Sequence, residues 1–387
     1  MTSIEAVREH ADLRASAAAF AGDRYTGLAG DWDREQTMLS GEERLALART
    51  GFLGMGLPEE YGGGGATLVE SLIVIEEIAK VSQIPAFAVF EANTGPARVV
   101  ELFGTEEQKQ RWLPRIIEGT ATMAVAISEP HAGSAATDIT TRGVIADGKV
   151  VINGQKRWTS GAGHAELYLV YLRLSDERGA RSIGAVVVES DAPGLTFGNQ
   201  ERLMGFHGIG SADIFLDDVT VPVEDVLIPA GGFKDLFSTF SIERLGNATM
   251  SLAIGQACLD RSAAYVQERH QFGKPIAEFQ LVQEALADMV IQVDAARLLI
   301  RRAAEGAGRG TPAPLEASIA KCFANEMAKK VSDLALQVHG GYGYAEEYGI
   351  ERMVRDSHGW ALGGGTPAIQ RTRIVAEYLG RSFDQRR

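Results

Sequence analysis

The hydrophobic period of this chain changes twice, and that restricts its fold more than any single residue does. Up to about residue 122 apolar side chains recur at helical spacing, as in GEERLALARTGFLGMG, where Leu45, Leu47, Phe52 and Leu53 stand on a charged background. Near Thr122 the pattern turns to runs rich in Val, Ile and Thr, with Ala146-Asp147-Gly148-Lys149 as a hairpin turn signal and Pro193, Gly194 and Pro222 as punctuation. From about Phe233 the helical period returns and lasts to the end. The order predicts an α+β protein with an N-terminal α-helical domain over residues 1–122, a middle antiparallel β domain over 123–229 and a C-terminal helical domain over 230–387. A β domain set between two helical segments makes a cleft at the junction, the usual place for a cofactor.

Composition narrows the function. The chain has 387 residues, 45% hydrophobic and 23% charged, an ordinary balance for a globular protein with two or three domains. No apolar run reaches the roughly 18 residues of a membrane helix, and MTSIEAVREHADLR has no apolar signal core, so a cytoplasmic protein without membrane contact is expected. Cys258 and Cys322 fall in helical patterns and read as reduced core thiols. A net charge of -13 argues against nucleic acid as a partner. No metal site is expected.

Three local features need weighing. The run Gly62 to Gly65 has no Lys-Ser/Thr after it and no clear strand before it, so a flexible inter-helix turn is favoured over a phosphate cradle. Thr105, followed by Glu106 and Glu107, is an N-cap. The stretch Ser241 to Gln283 reads as a long helix, a Gly-Pro break and the start of another; Leu245, Ala248, Leu252, Leu259, Ala263 and Val266 line one face. Glu243 and Arg244 are placed at that helix's beginning, where they face either a ligand or solvent.

Five stretches together resemble the acyl-CoA dehydrogenases: AISEPHAGS (126–134), KRWTSGA (156–162), RHQFGKPIAEFQLVQ (269–283), QVHGGYGY (337–344) and RMVRDSHGWALGGGTPAIQ (352–370). LPEEYGG and FGTEEQKQRWLP fit the same family. The resemblance implies a C-terminal four-helix bundle, a homotetramer or dimer, and FAD-dependent oxidation of the Cα–Cβ bond of an acyl thioester to the trans-2-enoyl thioester. Flavin N5 accepts the β-hydride. It places Ile127, Ser128, Gly133, Ser134, Trp158, Thr159 and Ser160 at the flavin, with Ser134 also touching substrate. The family often has Ile, Thr and Asn where this chain has Thr159, Ser160 and Gly161, which keeps a hydroxyl at the middle position. Arg269, Phe272 and Gln280 match residues that reach the FAD of a neighbouring subunit; Gln337, Gly340, Gly341, Thr366 and Ala368 complete the cofactor contacts. A guanidinium suits the pyrophosphate because its planar fork binds oxygens in pairs and keeps its charge.

The family's commonest base is a Glu immediately before the Gly-Thr that precedes the last helix, and here that position is Gly364. No carboxylate occurs from Ser357 to Ile369. A smaller branch, including isovaleryl-CoA and long-chain dehydrogenases, instead has its base just before an Arg on the first bundle helix, which corresponds to Glu243-Arg244. Any single helical Glu is commonly a surface group. Glu243, however, is no capping-box member, since Phe240 stands three residues earlier. The glycines 363–365 leave room beside it. Glu243 is therefore the expected base, and the Gly364 N–H the expected donor to the thioester carbonyl, with Arg244, Gly363 and Gly365 also lining the substrate site. The substrate is an acyl-CoA or an acyl-carrier thioester, and an electron-transfer flavoprotein is the implied acceptor. A monooxygenase or oxidase of the same fold, or an inactive flavin or acyl-thioester binding protein, are the other readings.

Overall fold

The computed structural model describes residues 10–308 and 310–383. Its first part is helical: α1 (Ala11–Tyr25), α2 (Ala29–Glu35), α3 (Gly41–Arg49), α4 (Leu68–Val81), α5 (Gln83–Thr94), α6 (Pro96–Phe103) and α7 (Glu106–Ile117). Thr67 and Thr105 each close a full capping box, with Glu70 and Gln108, so two of these helices start where the sequence supplies paired cap groups. The Gly62–Gly65 segment is a packed turn whose four N–H groups all donate to backbone carbonyls of Gly54, Leu57, Pro58 and Glu59. None of those donors is left for a phosphate.

The middle part is an eight-stranded sheet. Its strands are β1 (Met123–Ala126), β2 (Arg142–Ala146), β3 (Lys149–Ser160), β4 (Leu167–Arg173), β5 (Ile183–Glu189), β6 (Leu195–Phe197), β7 (Ser211–Pro222) and β8 (Val226–Ile228). The β2–β3 turn has Asp147 at φ 52° and Gly148 at φ 72°, the left-handed pair that matches the twist of a two-residue hairpin. Pairing is antiparallel except along β4, where β1 lies parallel to it over four residues and β2 touches it in parallel at Arg142 and Arg173. The chain leaves β1 and comes back only after the β2–β3 hairpin, a crossover long enough for a parallel return. β4 is buried on both faces: Leu167, Leu169 and Tyr171 join the helical core, whereas Tyr168, Val170 and Leu172 join a second core within the sheet.

The last part holds α8 (Phe233–Glu268), a hairpin of β9 (His270–Gln271) and β10 (Lys274–Pro275), α9 (Gln280–Ala307), α10 (Pro314–His339), the one-turn α11 (Gly341–Tyr344), α12 (Ile350–Trp360) and α13 (Pro367–Tyr378). Helices α8, α9, α10 and α13 form the bundle, with α10 packed against the other three. The expected beginning of the long helix at Ser241 is corrected. α8 starts at Phe233, so Glu243 and Arg244 lie in its third turn with their N–H groups inside the helix. Phe233, Phe237 and Phe240 extend it, their rings following one another at 4.7 and 5.0 Å. Cys258 and Cys322 are free and buried. Among the described residues no helix is long and apolar enough to cross a membrane.

Three contacts fix the helical parts and the sheet around one cleft. Arg44 on α3 grips Glu166, just before β4, through two bonds of 2.8 Å. Asp356 on α12 accepts from the N–H of Phe206 at 2.8 Å, and Trp360 Nε1 donates to Gln83 Oε1 on α5, also at 2.8 Å.

Candidate active site

Two of the motifs, 126–134 and 156–162, are tied together by a buried ion pair. Lys156 Nζ donates to Glu129 Oε1 and to the carbonyl of Ile127, both at 2.9 Å, and the Arg157 N–H donates to the Ser128 carbonyl at 2.9 Å. Burial alone would raise the Glu129 carboxyl; Lys156 and the bonds from Thr140 and Thr141 outweigh it and hold the group down at about 2. Register breaks between Lys156 and Thr159, where β3 bulges against β7, and Trp158 takes φ 63° there. A tryptophan in the left-handed region is uncommon and strained, and here it leaves the indole 55% exposed, with the Arg157 guanidinium over its ring at 4.4 Å. Thr159 is buried and its Oγ1 has no partner among the described residues. The exposed Trp158 ring and the Ser160 hydroxyl two residues on suit the face and edge of a flavin, whereas the Thr159 hydroxyl is inaccessible and leaves only backbone there. Gly133 and Ser134 lie exposed on the outer part of the loop that Glu129 anchors.

Glu243 on α8 and Gly364 before α13 meet across the bundle. A Cβ placed on Gly364 would stand 2.6 Å from Glu243 Oε1 and 2.7 Å from Oε2. The two places at which the family resemblance puts a base are thus one point in space, and the missing side chain at 364 is what admits Glu243. Glu243 Oε2 is inaccessible and without a partner among the described residues. Burial pushes its carboxyl up, with the Lys321 and Arg244 cations pulling partly back.

The glycine loop is held by its carbonyls. Lys321 Nζ on α10 donates to the Gly363 and Gly365 carbonyls at 2.8 and 3.0 Å, and Gln370 Nε2 donates to those of Gly364 and Gly365 at 3.3 and 2.9 Å. No described residue accepts from the Gly364 N–H, and Gly364 sits at φ 63°. Thr366 caps α13 by accepting from the Ile369 N–H at 3.3 Å, with Pro367 at its first position and Ala368 exposed beside it. Arg244 is buried, with Nε and Nη1 unpartnered among the described residues; burial and the nearby Arg373 push it down to about 10.

The remaining expected residues lie elsewhere. Arg269 ends α8, 26 residues and roughly 39 Å from Glu243 along the helix. It lies over the Tyr342 ring at 5.4 Å, while Tyr265 stacks on His339 at 4.3 Å, which draws the Arg269–Phe272 hairpin and the Gln337–Gly341 segment into one cluster. Phe272 is 93% exposed there, and Gln280, Gln337, Gly340 and Gly341 are exposed as well. The expected residues therefore form two groups on one chain.

Sequence reasoning missed Glu129, Lys156 and Lys321. Each looks like an ordinary surface charge, and only Lys321 carries a signal, since it stands in the run SIAKCFAN where its neighbours are small or apolar. It also missed Glu91 on α5, which lines a pocket of about 80 Å³ together with Ile84, Phe87, Ala88, Met123 and Ser160.

Comparison with known proteins agrees with the helical, sheet and helical parts of the fold. Family models for the acyl-CoA dehydrogenase N-terminal, middle and C-terminal domains match residues 8–120, 124–219 and 230–379. A probable acyl-CoA dehydrogenase, YngJ, of Bacillus subtilis is 38% identical over 335 residues, 86% of this chain and 88% of that protein. A 3-sulfinopropanoyl-CoA desulfinase of Paraburkholderia xenovorans is 38% identical over 347 residues, covering 88% and 89%. The butyryl-CoA dehydrogenase structure of Megasphaera elsdenii superposes with a TM-score of 0.92 at 31% identity, covering 98% of this chain and 99% of that one. With all three parts matched in order along one chain, this protein belongs to the acyl-CoA dehydrogenase family.

Proposed function

We infer that this FAD-dependent enzyme oxidises the Cα–Cβ bond of an acyl thioester, with Glu243 removing the α-proton. The observation that carries the reading is the half-buried Glu243 carboxylate, its Oε2 inaccessible and unpartnered among the described residues, at the point a Gly364 side chain would fill. An α-proton beside a thioester is weakly acidic, so its acceptor must be basic near neutral pH, and desolvation supplies that by raising the carboxyl. The Gly364 N–H, anti to the Gly363 carbonyl that Lys321 holds in the same peptide plane, is free to donate to the thioester oxygen and stabilise the enolate-like charge as the proton leaves. Bound flavin supplies the acceptor for the hydride from the β-carbon. Trp158, Thr159 and Ser160 would hold it together with Ile127 and Ser128, and Arg244 and the 363–365 backbone would bound the thioester. An electron-transfer flavoprotein is the proposed acceptor.

The carrier is CoA or a protein-borne phosphopantetheine, which present the same thioester arm. The far cluster is proposed to reach the FAD of a neighbouring subunit in a homotetramer or dimer, with Arg269 on the pyrophosphate and Phe272 and Gln280 beside it.

The test is anaerobic flavin bleaching with a panel of acyl-CoA and acyl-carrier thioesters. Glu243→Gln keeps bound flavin and lowers the bleaching rate by roughly 10²–10⁴-fold. Bleaching at the parent rate in that variant would remove Glu243 as the base, and a parent enzyme bleached by no thioester would end the dehydrogenase reading.

A further inference from the structure

Helices α5 and α8 cross with little between them. A Cβ on Gly246 would stand 2.2 Å from Thr94 Oγ1 and 2.7 Å from the Phe90 ring. Glu91 precedes Thr94 by three residues and Glu243 precedes Gly246 by three, so both carboxylates lie one helical turn from the crossing. Their charges act on each other: burial, and then Glu243, push the Glu91 carboxyl up to about 8. Glu91 is thus mostly protonated at neutral pH and presents an O–H donor beside a base that must stay charged. Its Oε2 is inaccessible and has no partner among the described residues.

The pocket that Glu91 lines is otherwise apolar on this side. Ile84, Phe87 and Ala88 come from its own helix and Met38 and Leu39 from the chain before α3; the opposite side carries Thr122, His164, Ser160 at the proposed flavin edge, and Arg44, whose charge is taken up by Glu166. The pocket is open on one side and holds about 80 Å³, room beside Glu91 for the end of a short acyl chain. A hydrocarbon tail there would leave the carboxyl without a hydrogen bond, which disfavours that ligand relative to one that completes the bond.

We propose that Glu91 is a specificity-determining residue that receives a neutral oxygen function, a hydroxyl or carbonyl, on a short acyl group. The assignment rests on the acyl-thioester reading above and adds the chemical class of the tail. A cationic tail is the competing occupant, because an ammonium would draw the proton off Glu91 and pair with both carboxylates. The neutral oxygen is favoured because the Glu91 carboxyl offers a donor and an acceptor without placing a second negative charge beside Glu243.

The experiment uses the flavin-loaded enzyme and redox-inert acyl-CoA analogues with sulfur in place of the β-carbon, so that no hydride can leave. Three tails of equal length are compared, ending in methyl, hydroxyl or ammonium, and dissociation constants are read from the visible flavin spectrum. The hydroxyl tail is expected to bind about tenfold more tightly than the methyl tail. Glu91→Leu reverses that order, whereas Glu91→Gln, which keeps a donor and an acceptor, preserves it. Equal binding of hydroxyl and methyl tails, tightest binding of the ammonium tail, an equal loss for all tails in Glu91→Leu, or binding of none of the analogues would each overturn the proposal. Bleaching by the parent thioesters is followed in parallel. Preserved tail preferences without bleaching would end the oxidation reading and leave the role of Glu91 standing.

Discussion

The two ends of α8 are built differently, although one helix carries both. Around Glu243 nearly every residue from Ser241 to Gly255 is buried, and the neighbouring loop is fixed by Lys321, Asn247 and Gln370 from three helices. At the other end Phe272 is 93% exposed, Leu281 81% and Tyr344 79%, and Arg269 lies against a tyrosine ring with no acid paired to it among the described residues. The near end is completed by its own chain. The far end shows solvent a concentration of large apolar side chains that calls for a covering surface. The same helix can therefore hold the base rigidly and present a cofactor clamp outward, because Glu243 and Arg269 are about 39 Å apart and lie in different surroundings.

The comparison can be broken first at the near end. With Glu243 and a 364 side chain competing for one point, Gly364→Glu alone forces two carboxylates together, and bleaching falls about as far as in Glu243→Gln. In a Glu243→Gly background the same change places a carboxylate where the first was removed, and at least tenfold of the lost rate returns. Recovery stays partial, because a non-glycine residue at φ 63° costs roughly 1–2 kcal/mol. Single-turnover bleaching of the four proteins measures this cycle. If Glu243→Gly with Gly364→Glu is no faster than Glu243→Gly alone, the two positions are not interchangeable.

The far end answers to a different measurement. Arg269→Ala removes charge-assisted hydrogen bonds of about 1.5–3 kcal/mol from the proposed pyrophosphate contact, so FAD retention on dilution weakens by roughly 10- to 100-fold. Light scattering on the parent is expected to give a mass above that of one chain. The fraction of variant that keeps flavin should bleach within about twofold of the parent rate, because Arg269 is remote from Glu243. A variant with normal FAD retention but slow bleaching would place Arg269 in the chemistry and dissolve the distinction between the ends.

The architecture was legible where the chemistry is local. Period changes marked the helical, sheet and helical parts, Asp147-Gly148 marked the hairpin, and Thr105 marked a helix start through cap chemistry that acts over three residues. The start of α8 was misplaced because Phe233, Phe237 and Phe240 pack on one another outside the stripe that begins at Leu245. The parallel β1–β4 pairing and the Lys156–Glu129 pair depend on contacts between residues tens of positions apart, which no period encodes. Glu91 was invisible for the same reason: in FAVFEANTG it is an ordinary helical acid, and only the close crossing at Gly246 sets it beside Glu243.

The smallest effect tests whether Lys321 tunes the base as well as holding the loop. Its Nζ fixes two carbonyls of the glycine loop, and its charge is the largest influence opposing the upward push of burial on Glu243. Glu243 accepts a proton only when ionised, so the bleaching rate rises with pH through its raised pKa and then levels off. Removing the cation in Lys321→Met takes away a stabilising influence on the ionised form. The pKa then climbs further and the rising limb moves to higher pH. At the pH where the parent runs at half its plateau, the variant is expected to be roughly threefold to tenfold slower. Arg244 still favours the ionised form, so the limb shifts rather than disappears. The single-turnover rate measured across pH separates the two roles. A limb that stays in place beneath a lower plateau would mean that Lys321 only holds the Gly363 and Gly365 carbonyls, whereas a shifted limb reaching the parent plateau would mean that its charge sets the basicity of Glu243.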